Sequence, residues 1–400
     1  MIMKFKRLLK PILKEAIQEF PAIFIAGARQ VGKSTLSMEL ANNYVTFDDI
    51  NAYLSAKNDP IGFINSLELP VILDEVQKVP EIFNVIKQKI DKNRKPNQFI
   101  LTGSINLLKF SAVKESLAGR LAIFELYPLS IYEIQNKKEN LIEKLFTGKF
   151  LEQKSISDID IWEFILKGGF PEIHKIKTEK MKYIWFSSYV STYIEKDVIE
   201  IGEIRNIDKF LNLLHILASY SGNILNKSKI SQITGIDGKT LDNYLNLLQL
   251  IYQITILKPF SQNIGKRFVK SPKIYFNDTG LLCYLLGITS KEELLFSSYA
   301  GSIFETFVFN ELLKHAKYSW FPAEIYFYRT LDKKEIDFLI RYKNELIAVE
   351  VKAKETISDK DFKNIREIKN LVKYGIVFYN GDKVLPFGKN LHAVPIRSIV

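Results

Sequence analysis

The sequence predicts an α/β protein with several domains, and three observations lead to this fold class. Short apolar segments alternate with helical patterns near the N-terminus, as they do in a parallel sheet covered by helices. The chain has 400 residues, more than one ordinary domain needs, and 47% of them are hydrophobic, which excludes a disordered protein. Changes in pattern divide the chain into predicted domains at 1–135, 136–295 and 296–400.

The first predicted domain combines an amphipathic helix at its start with three apolar strands. Each strand is short and uninterrupted by charge, which is typical of strands buried on both faces of a sheet. The predicted elements are a helix at 5–20, strands at 22–26, 70–73 and 98–101, and a helix at 80–91.

A glycine-rich turn follows the first strand and fits the pattern G-x-x-x-x-G-K-[ST]. In such a loop, backbone N–H groups surround phosphates, the lysine contacts the β- and γ-phosphates, and the hydroxyl binds Mg²⁺. We therefore predict an ATP site, with Lys33 beside the phosphates and Ser34 as a magnesium ligand. The predicted ATP-binding residues are Gly27, Ala28, Arg29, Gln30, Val31, Gly32, Lys33, Ser34 and Thr35.

An acidic pair, Asp74 and Glu75, directly follows the second apolar strand. Asp74 is predicted to hold Mg²⁺, and Glu75 is predicted to orient or polarise the attacking water. The alternative is an acidic pair in the first turn of a helix. Because a glutamate follows the aspartate, we expect hydrolysis of ATP rather than binding alone.

Polar residues after the third strand and an arginine further on extend the predicted catalytic set. Thr102, Ser104 and Asn106 are all able to sense a γ-phosphate; Ser104 is the catalytic candidate, and an ordinary polar turn is the alternative. Arg120 is predicted to stabilise the transition state, in its own chain or from a neighbouring subunit. The alternative for Arg120 is a surface arginine.

Together these motifs resemble those of prokaryotic AAA-type ATPases with a C-terminal DUF4143 region. The resemblance implies an AAA-like P-loop NTPase sheet and a winged helix in the middle domain. Ala28 and Ser34 stand where the family often has proline and threonine, and both keep the chemistry. The matching segments are 27–35, 72–77, 100–104, 115–120, 127–133, 167–172 and 192–198.

In the middle domain, apolar residues at helical spacing predict a helix-turn-helix within 207–252. Ser228 is the predicted N-cap of a short helix at 229–234, and a second helix is predicted at 239–252. Outward-facing polar residues of the second helix suit phosphate and base-edge contacts on DNA. These DNA-binding candidates are Lys239, Thr240 and Asn243.

A basic segment, 251–273, follows and is predicted to form a wing that contacts DNA. It carries five Lys or Arg residues and no Asp or Glu, in a chain with a net charge of +11. Asp237 and Asp242 oppose DNA contact because phosphate repels them, and a protein-binding module of the same shape is the alternative. The DNA-binding candidates of this segment are Lys266, Arg267 and Lys270.

Four charged residues of the C-terminal domain lie on a predicted helix and two predicted strands: Glu305 on the helix, Asp337 on one strand, and Glu350 with Lys352 on the next strand. Their order resembles that of PD-(D/E)xK nucleases, which have a restriction-endonuclease-like α/β fold. The resemblance implies that Asp337 and Glu350 hold Mg²⁺ or Mn²⁺ and that Lys352 activates water. A half-buried strand with a solvated Glu/Lys face is the alternative. The predicted elements are a helix at 301–316 and strands at 324–329, 335–340, 346–352 and 375–379.

Composition excludes several other classes of protein. The single cysteine, Cys283, rules out an internal disulfide and a cysteine metal cage. No apolar run reaches the roughly 18 residues of a membrane span, and the N-terminus lacks the pattern of a secretory signal, so we expect a cytoplasmic protein.

The leading hypothesis is an ATP-dependent protein that acts on DNA. The alternative is an ATP-driven switch that binds a protein partner and has an inert nuclease-like domain; whether the chain forms a homo-oligomer stays open.

Overall fold

The computed structural model describes two compact units. One, the first unit, contains Lys4–Pro128 with Leu250–Tyr252, and the second unit contains Leu129–Gln249 and Gln253–Val400. The boundary predicted at 295 lies within the second unit, and the three-domain division stays a prediction. The described residues are 5–105, 119–152, 159–195, 198–199, 204, 206–261, 271–330 and 332–398.

A five-stranded parallel sheet forms the centre of the first unit, in the order β2-β3-β4-β1-β5. The three inner strands are buried throughout, which explains their uninterrupted apolar sequences, whereas the two edge strands are only half-buried. The predicted parallel α/β architecture is therefore confirmed. The strands are β1 (Ala22–Ala26), β2 (Asn43–Thr46), β3 (Val71–Asp74), β4 (Phe99–Gly103) and β5 (Leu121–Glu125).

Five described helices accompany this sheet. Helix α5 buries residues at helical spacing, and carboxylates of Asp49 and Asp59 cap α3 and α4 at their N-termini. The amphipathic first helix is shorter than predicted because it begins at Lys10. The helices are α1 (Lys10–Glu19), α2 (Lys33–Ser37), α3 (Ile50–Asn58), α4 (Pro60–Ser66) and α5 (Ile82–Lys92).

The second unit begins with a helical part that ends in a short antiparallel strand pair. Ser228 is not the N-cap of the predicted short helix, because Asn226 accepts the hydrogen bond from Lys229 N instead. The helices are α6 (Ile131–Ile134), α7 (Leu141–Thr147), α8 (Ile161–Lys167), α9 (Glu179–Tyr189), α10 (Ile207–Ser219), α11 (Lys227–Thr234) and α12 (Gly238–Leu250). The antiparallel strands are β6 (Ile254–Leu257) and β7 (Lys273–Phe276).

A mixed six-stranded sheet, in the order β12-β13-β11-β10-β9-β8, follows in the second unit. A buried cluster that includes Leu339, Ala348, Ile365 and Val377 packs a short helix against one face. The helices are α13 (Thr279–Leu285), α14 (Lys291–Phe296), α15 (Ala300–Lys317) and α16 (Lys363–Glu367). The strands are β8 (Glu324–Arg329), β9 (Glu335–Tyr342), β10 (Glu345–Lys352), β11 (Tyr374–Tyr379), β12 (Leu385–Gly388) and β13 (Leu391–Pro395).

All four strands predicted near the C-terminus are present in this sheet. Strands β10, β11 and β13 run parallel, and the other neighbouring pairs are antiparallel. The classification of this sheet as restriction-endonuclease-like stays a prediction. No helix within the described ranges is long and apolar enough to cross a bilayer.

Candidate functional site

The glycine-rich loop joins β1 to α2 at the carboxyl edge of the parallel sheet. A Cβ atom on Gly27 would lie 2.1 Å from the backbone oxygen of Leu126, so only glycine allows this approach. Gly32 has a φ of +93°, in the left-handed region that favours glycine. The two glycines of the motif are therefore required by the path of the backbone.

Lys33 is buried at the start of α2 and bends back over the loop. Its Nζ donates hydrogen bonds to the carbonyl oxygens of Gly27 and Ala28, both at 3.0 Å. These contacts hold the ammonium group above the loop, where the motif places the β- and γ-phosphates of a nucleotide.

The carboxylate of Asp74, at the end of β3, accepts hydrogen bonds from hydroxyl groups on three other elements. Ser34 Oγ donates to Asp74 Oδ2 at 2.8 Å, and the Tyr44 hydroxyl donates to the same oxygen at 2.5 Å. Thr102 on β4 donates to Oδ1. Burial and this hydrogen bond to Asp74 raise the pKa of Tyr44 to about 12, so its hydroxyl remains a donor at neutral pH. Ser34 and Asp74 thus present adjacent hard oxygen ligands, which fit Mg²⁺.

Glu75 follows Asp74 in a left-handed conformation with a φ of 56° and is almost fully buried. Gln77 Nε2 donates to the Glu75 carboxylate and, at 3.1 Å, to Ser104 Oγ. Gln77 therefore links the predicted water-orienting residue to the candidate γ-phosphate sensor. Sequence reasoning gave Gln77 no role; its position two residues after Glu75 was the available signal.

Arg7 contacts the loop from before α1, and no sequence motif indicates this role. Its Nη1 donates to Val31 O and its Nη2 to Tyr127 O, both at 2.6 Å. The side chain is buried, so these two charge-assisted bonds are shielded from water. Arg7 therefore ties the phosphate loop to the segment that follows β5.

Arg120 does not lie at the phosphate loop of its own chain. Leu121 pairs with Ala22 at the amino end of β1, whereas the loop follows Ala26 at the carboxyl end, about 16 Å of strand away. Arg120 instead forms a two-point ion pair with Asp91, at 2.6 and 2.9 Å. The predicted role in its own chain is wrong, and a role at a neighbouring subunit stays a prediction. Asn106 lies outside the described residues.

The predicted nuclease-like residues come together in the second unit. Asp337 on β9 accepts a hydrogen bond from Val351 N at 2.8 Å, and Lys352 Nζ donates to Glu350 Oε2 at 3.0 Å. Burial, with the charge of Asp337 next in size, raises the pKa of Glu350 to about 9. The same two causes raise the pKa of Glu305, on α15, to about 7.

Lys273, the last residue of the predicted basic wing, is buried among these carboxylates. Its Nζ lies 2.7 Å from Glu335 Oε1, 3.0 Å from Glu305 Oε1 and 3.9 Å from Asp337 Oδ1. Within the described part of the chain, no three His, Cys, Asp or Glu side chains are arranged to hold a metal ion. The buried ammonium group beside Glu305 and Asp337 therefore opposes the divalent metal that the nuclease pattern implies.

The DNA-binding candidates Lys239, Thr240 and Asn243 line a groove of about 730 Å³ at α12. Thr240 Oγ1 donates to Asp237 Oδ2 at 2.6 Å, and Asp237 also accepts from the backbone at the start of the helix. Asp242 forms an ion pair with a lysine of α11. Lys266, Arg267 and Lys270 lie outside the described residues.

Three family models match successive segments of the chain. Residues 19–135 match an AAA domain, which supports a P-loop ATPase in the first unit. Residues 158–292 match a domain of unknown function, DUF8612. Residues 300–399 match another, DUF4143.

Relatives of similar length occur in bacteria and archaea. An uncharacterised protein of Mycobacterium tuberculosis is 26% identical over 97% of this chain and 83% of its own length. One of Methanocaldococcus jannaschii is 29% identical over 90% of this chain and 82% of its own. A Walker-type ATPase of Pyrococcus abyssi, at 14% identity and a TM-score of 0.45, covers 70% of this chain and 96% of its own. The AAA-domain match and the geometry of the phosphate loop together support binding and hydrolysis of ATP in the first unit.

Proposed function

We propose that the first unit hydrolyses ATP with Mg²⁺. The observation that carries this proposal is the 2.8 Å hydrogen bond from Ser34 to Asp74 beside the loop that holds Lys33. Ser34 and Asp74 would hold the metal, which supplies positive charge against the phosphates. The hydrogen bonds of Lys33 to the loop carbonyls place its own positive charge on the same side.

The proposed division of labour in hydrolysis follows from the buried contacts. Backbone N–H groups of the loop and the Lys33 ammonium bind the phosphates. Glu75 accepts a hydrogen bond from the attacking water and orients it. Gln77 fixes the Glu75 carboxylate, and its second bond to Ser104 makes the position of Glu75 dependent on the end of β4.

The test compares wild type, Lys33→Ala and Glu75→Gln in nucleotide binding and in steady-state hydrolysis. Lys33→Ala should weaken binding, and Glu75→Gln should keep binding while lowering kcat by about 100-fold or more. Lys92→Ala, at an exposed position of the same unit, is the matched control. Wild-type turnover by Glu75→Gln would show that another residue orients the water.

We further propose that the protein acts on DNA through α11 and α12. Polar side chains at the start of α12 border the groove there, and the two acidic residues that opposed DNA contact are engaged within the protein. Asp237 caps α12 and Asp242 is paired with Lys227, so their charges are partly compensated. A winged helix with a DNA-contacting face is the arrangement proposed for this part of the second unit.

A fluorescence titration of labelled duplex DNA in a salt series tests this proposal. Lys239→Ala/Asn243→Ala should weaken binding and lower the salt slope by about one. Lys369→Ala/Asn370→Ala changes the same residue types at exposed positions elsewhere and should bind DNA like wild type. Equal binding by both variants, or no salt dependence, would favour the ATP-driven switch with a protein partner.

Cleavage of DNA by the C-terminal domain is the weaker part of the leading hypothesis. The order of Glu305, Asp337, Glu350 and Lys352 supports it, whereas the buried Lys273 opposes a metal at this cluster. That observation favours the alternative in which the nuclease-like domain is inert. Incubating the protein with plasmid and Mg²⁺ or Mn²⁺, with and without ATP, separates the two.

A further inference from the structure

Lys273 reaches the carboxylates from a different part of the chain. It begins β7, whereas Glu305 belongs to α15, and Glu335 and Asp337 belong to β9. Only 3% of its side chain is exposed. A buried ammonium group is tolerated only when carboxylates and hydrogen bonds compensate it.

Three carboxylates lie within 4 Å of the one ammonium group and compensate its charge. The Lys273 ammonium forms short contacts with Glu335 and Glu305 and a longer one with Asp337. The Tyr275 hydroxyl donates to the same Glu305 oxygen at 2.6 Å, so this oxygen is shared between two donors of β7.

A divalent metal held by Glu305, Glu335 and Asp337 would need the oxygens that Lys273 already contacts. Mg²⁺ and Mn²⁺ bind carboxylate oxygens at about 2.0–2.2 Å, so the ion would lie within a few ångströms of the ammonium group. Two cations that close repel strongly in a buried site. A divalent metal and the Lys273 ammonium group therefore exclude each other at this cluster.

We infer that the ammonium group of Lys273 is the resident cation of the Glu305–Glu335–Asp337 cluster and takes the place of a divalent metal. Lys273 holds α15 and β9 together through these carboxylates. Removing the ammonium group should therefore create a metal site that the wild-type protein lacks. Lys352 does not have this role, because its contact is with Glu350.

The experiment is isothermal titration of nucleotide-free, full-length protein with Mn²⁺. Lys273→Met keeps the length of the side chain without its charge, and it should bind Mn²⁺ at least tenfold more tightly than wild type. The added binding should disappear in Lys273→Met/Asp337→Asn. Lys352→Met is the matched control, because it removes a neighbouring ammonium group and leaves Lys273 in place. Any Mn²⁺ bound at the phosphate loop is common to all four proteins.

Two results would overturn the inference. The first is that Lys273→Met folds but binds no more Mn²⁺ than Lys273→Met/Asp337→Asn does. The second is that wild-type protein binds Mn²⁺ and that Asp337→Asn abolishes this binding. The metal would then displace the Lys273 ammonium group from the cluster. If Lys273→Met does not fold, the melting temperatures of wild type and Asp337→Asn are compared with and without Mn²⁺. An equal shift of both melting temperatures supports the inference, whereas Mn²⁺ that stabilises wild type alone contradicts it.

Discussion

The hydroxyl of Ser34 donates a 2.8 Å hydrogen bond to the carboxylate of Asp74, 40 positions further along the chain. The bond joins the helix after the phosphate loop to the end of β3. The two predicted magnesium ligands are therefore adjacent, and we expect the Mg²⁺ concentration that hydrolysis requires to depend on Ser34.

Ser34→Ala should raise the Mg²⁺ concentration for half-maximal ATP hydrolysis by about tenfold or more, as loss of even an outer-shell metal partner does. A magnesium titration of steady-state hydrolysis measures this. Ser55→Ala, an exposed serine on α3, should titrate like wild type. Identical magnesium curves for both variants would remove Ser34 from the metal site.

Gln77→Ala should lower kcat by about tenfold while the KM for ATP stays near its wild-type value, because Gln77 positions Glu75 and does not contact the phosphates. Gln88→Ala, an exposed glutamine of α5, is the control. A change in KM alone would mean that Gln77 acts on nucleotide binding instead.

Arg7→Ala should lower the free energy of unfolding by about 1–3 kcal/mol, because it leaves the buried carbonyls of Val31 and Tyr127 without this donor. It should also raise the KM for ATP through a looser phosphate loop. Urea unfolding and steady-state kinetics measure the two effects. Lys6→Ala, one residue away and exposed, should change neither.

Arg120→Ala and Asp91→Ala should shift the melting temperature equally and slightly, because each breaks the same exposed ion pair. Neither should change kcat when hydrolysis is measured at a protein concentration too low for association. A loss of kcat in Arg120→Ala alone, growing with protein concentration, would instead support an arginine supplied to a neighbouring subunit.

Stability should fall with rising pH because of Glu350. Its pKa is about 9 in the folded protein against 4.5 in an unfolded chain, so the folded state binds the extra proton between these values. The free energy of unfolding should therefore decrease as pH rises through this window, by at most about 1.4 kcal/mol per unit. Glu350→Gln should flatten this slope in urea unfolding from pH 5 to 9. Parallel slopes would contradict the raised pKa.

In the first unit, the buried inner strands could be predicted from sequence, and the edge strands could not. Strands β1, β3 and β4 are uninterrupted apolar runs because both of their faces are covered. The edge strands β2 and β5 are half-exposed, so they lack that pattern and were not predicted. In the second unit, the edge strand β8 was predicted, whereas the edge strand β12 and the buried strand β13 were not.

Side-chain partners were predictable only where a motif specifies them. The phosphate-loop motif predicted Ser34 as a magnesium ligand, the acidic pair after the second apolar strand predicted Asp74, and the two side chains are hydrogen-bonded to each other. Lys273 was predicted as part of a basic wing that contacts DNA, because its partners Glu305 and Asp337 lie 32 and 64 positions away, beyond any local pattern. Ser228 was predicted as the N-cap of the short helix, whereas Asn226 caps it; both residue types cap helices, and only the backbone of α11 decides between them.

The position of Lys273 also limits how this chain can be divided for study. A fragment that starts at residue 296 would carry Glu305, Glu335 and Asp337 without their cation, and a fragment that ends at 295 would carry a buried lysine without its anions. An uncompensated buried charge typically costs several kcal/mol, comparable to the whole stability of a small domain. Fragments cut at the junction of the DUF8612 and DUF4143 segments should therefore fail to fold alone, and the two segments should be produced as one piece.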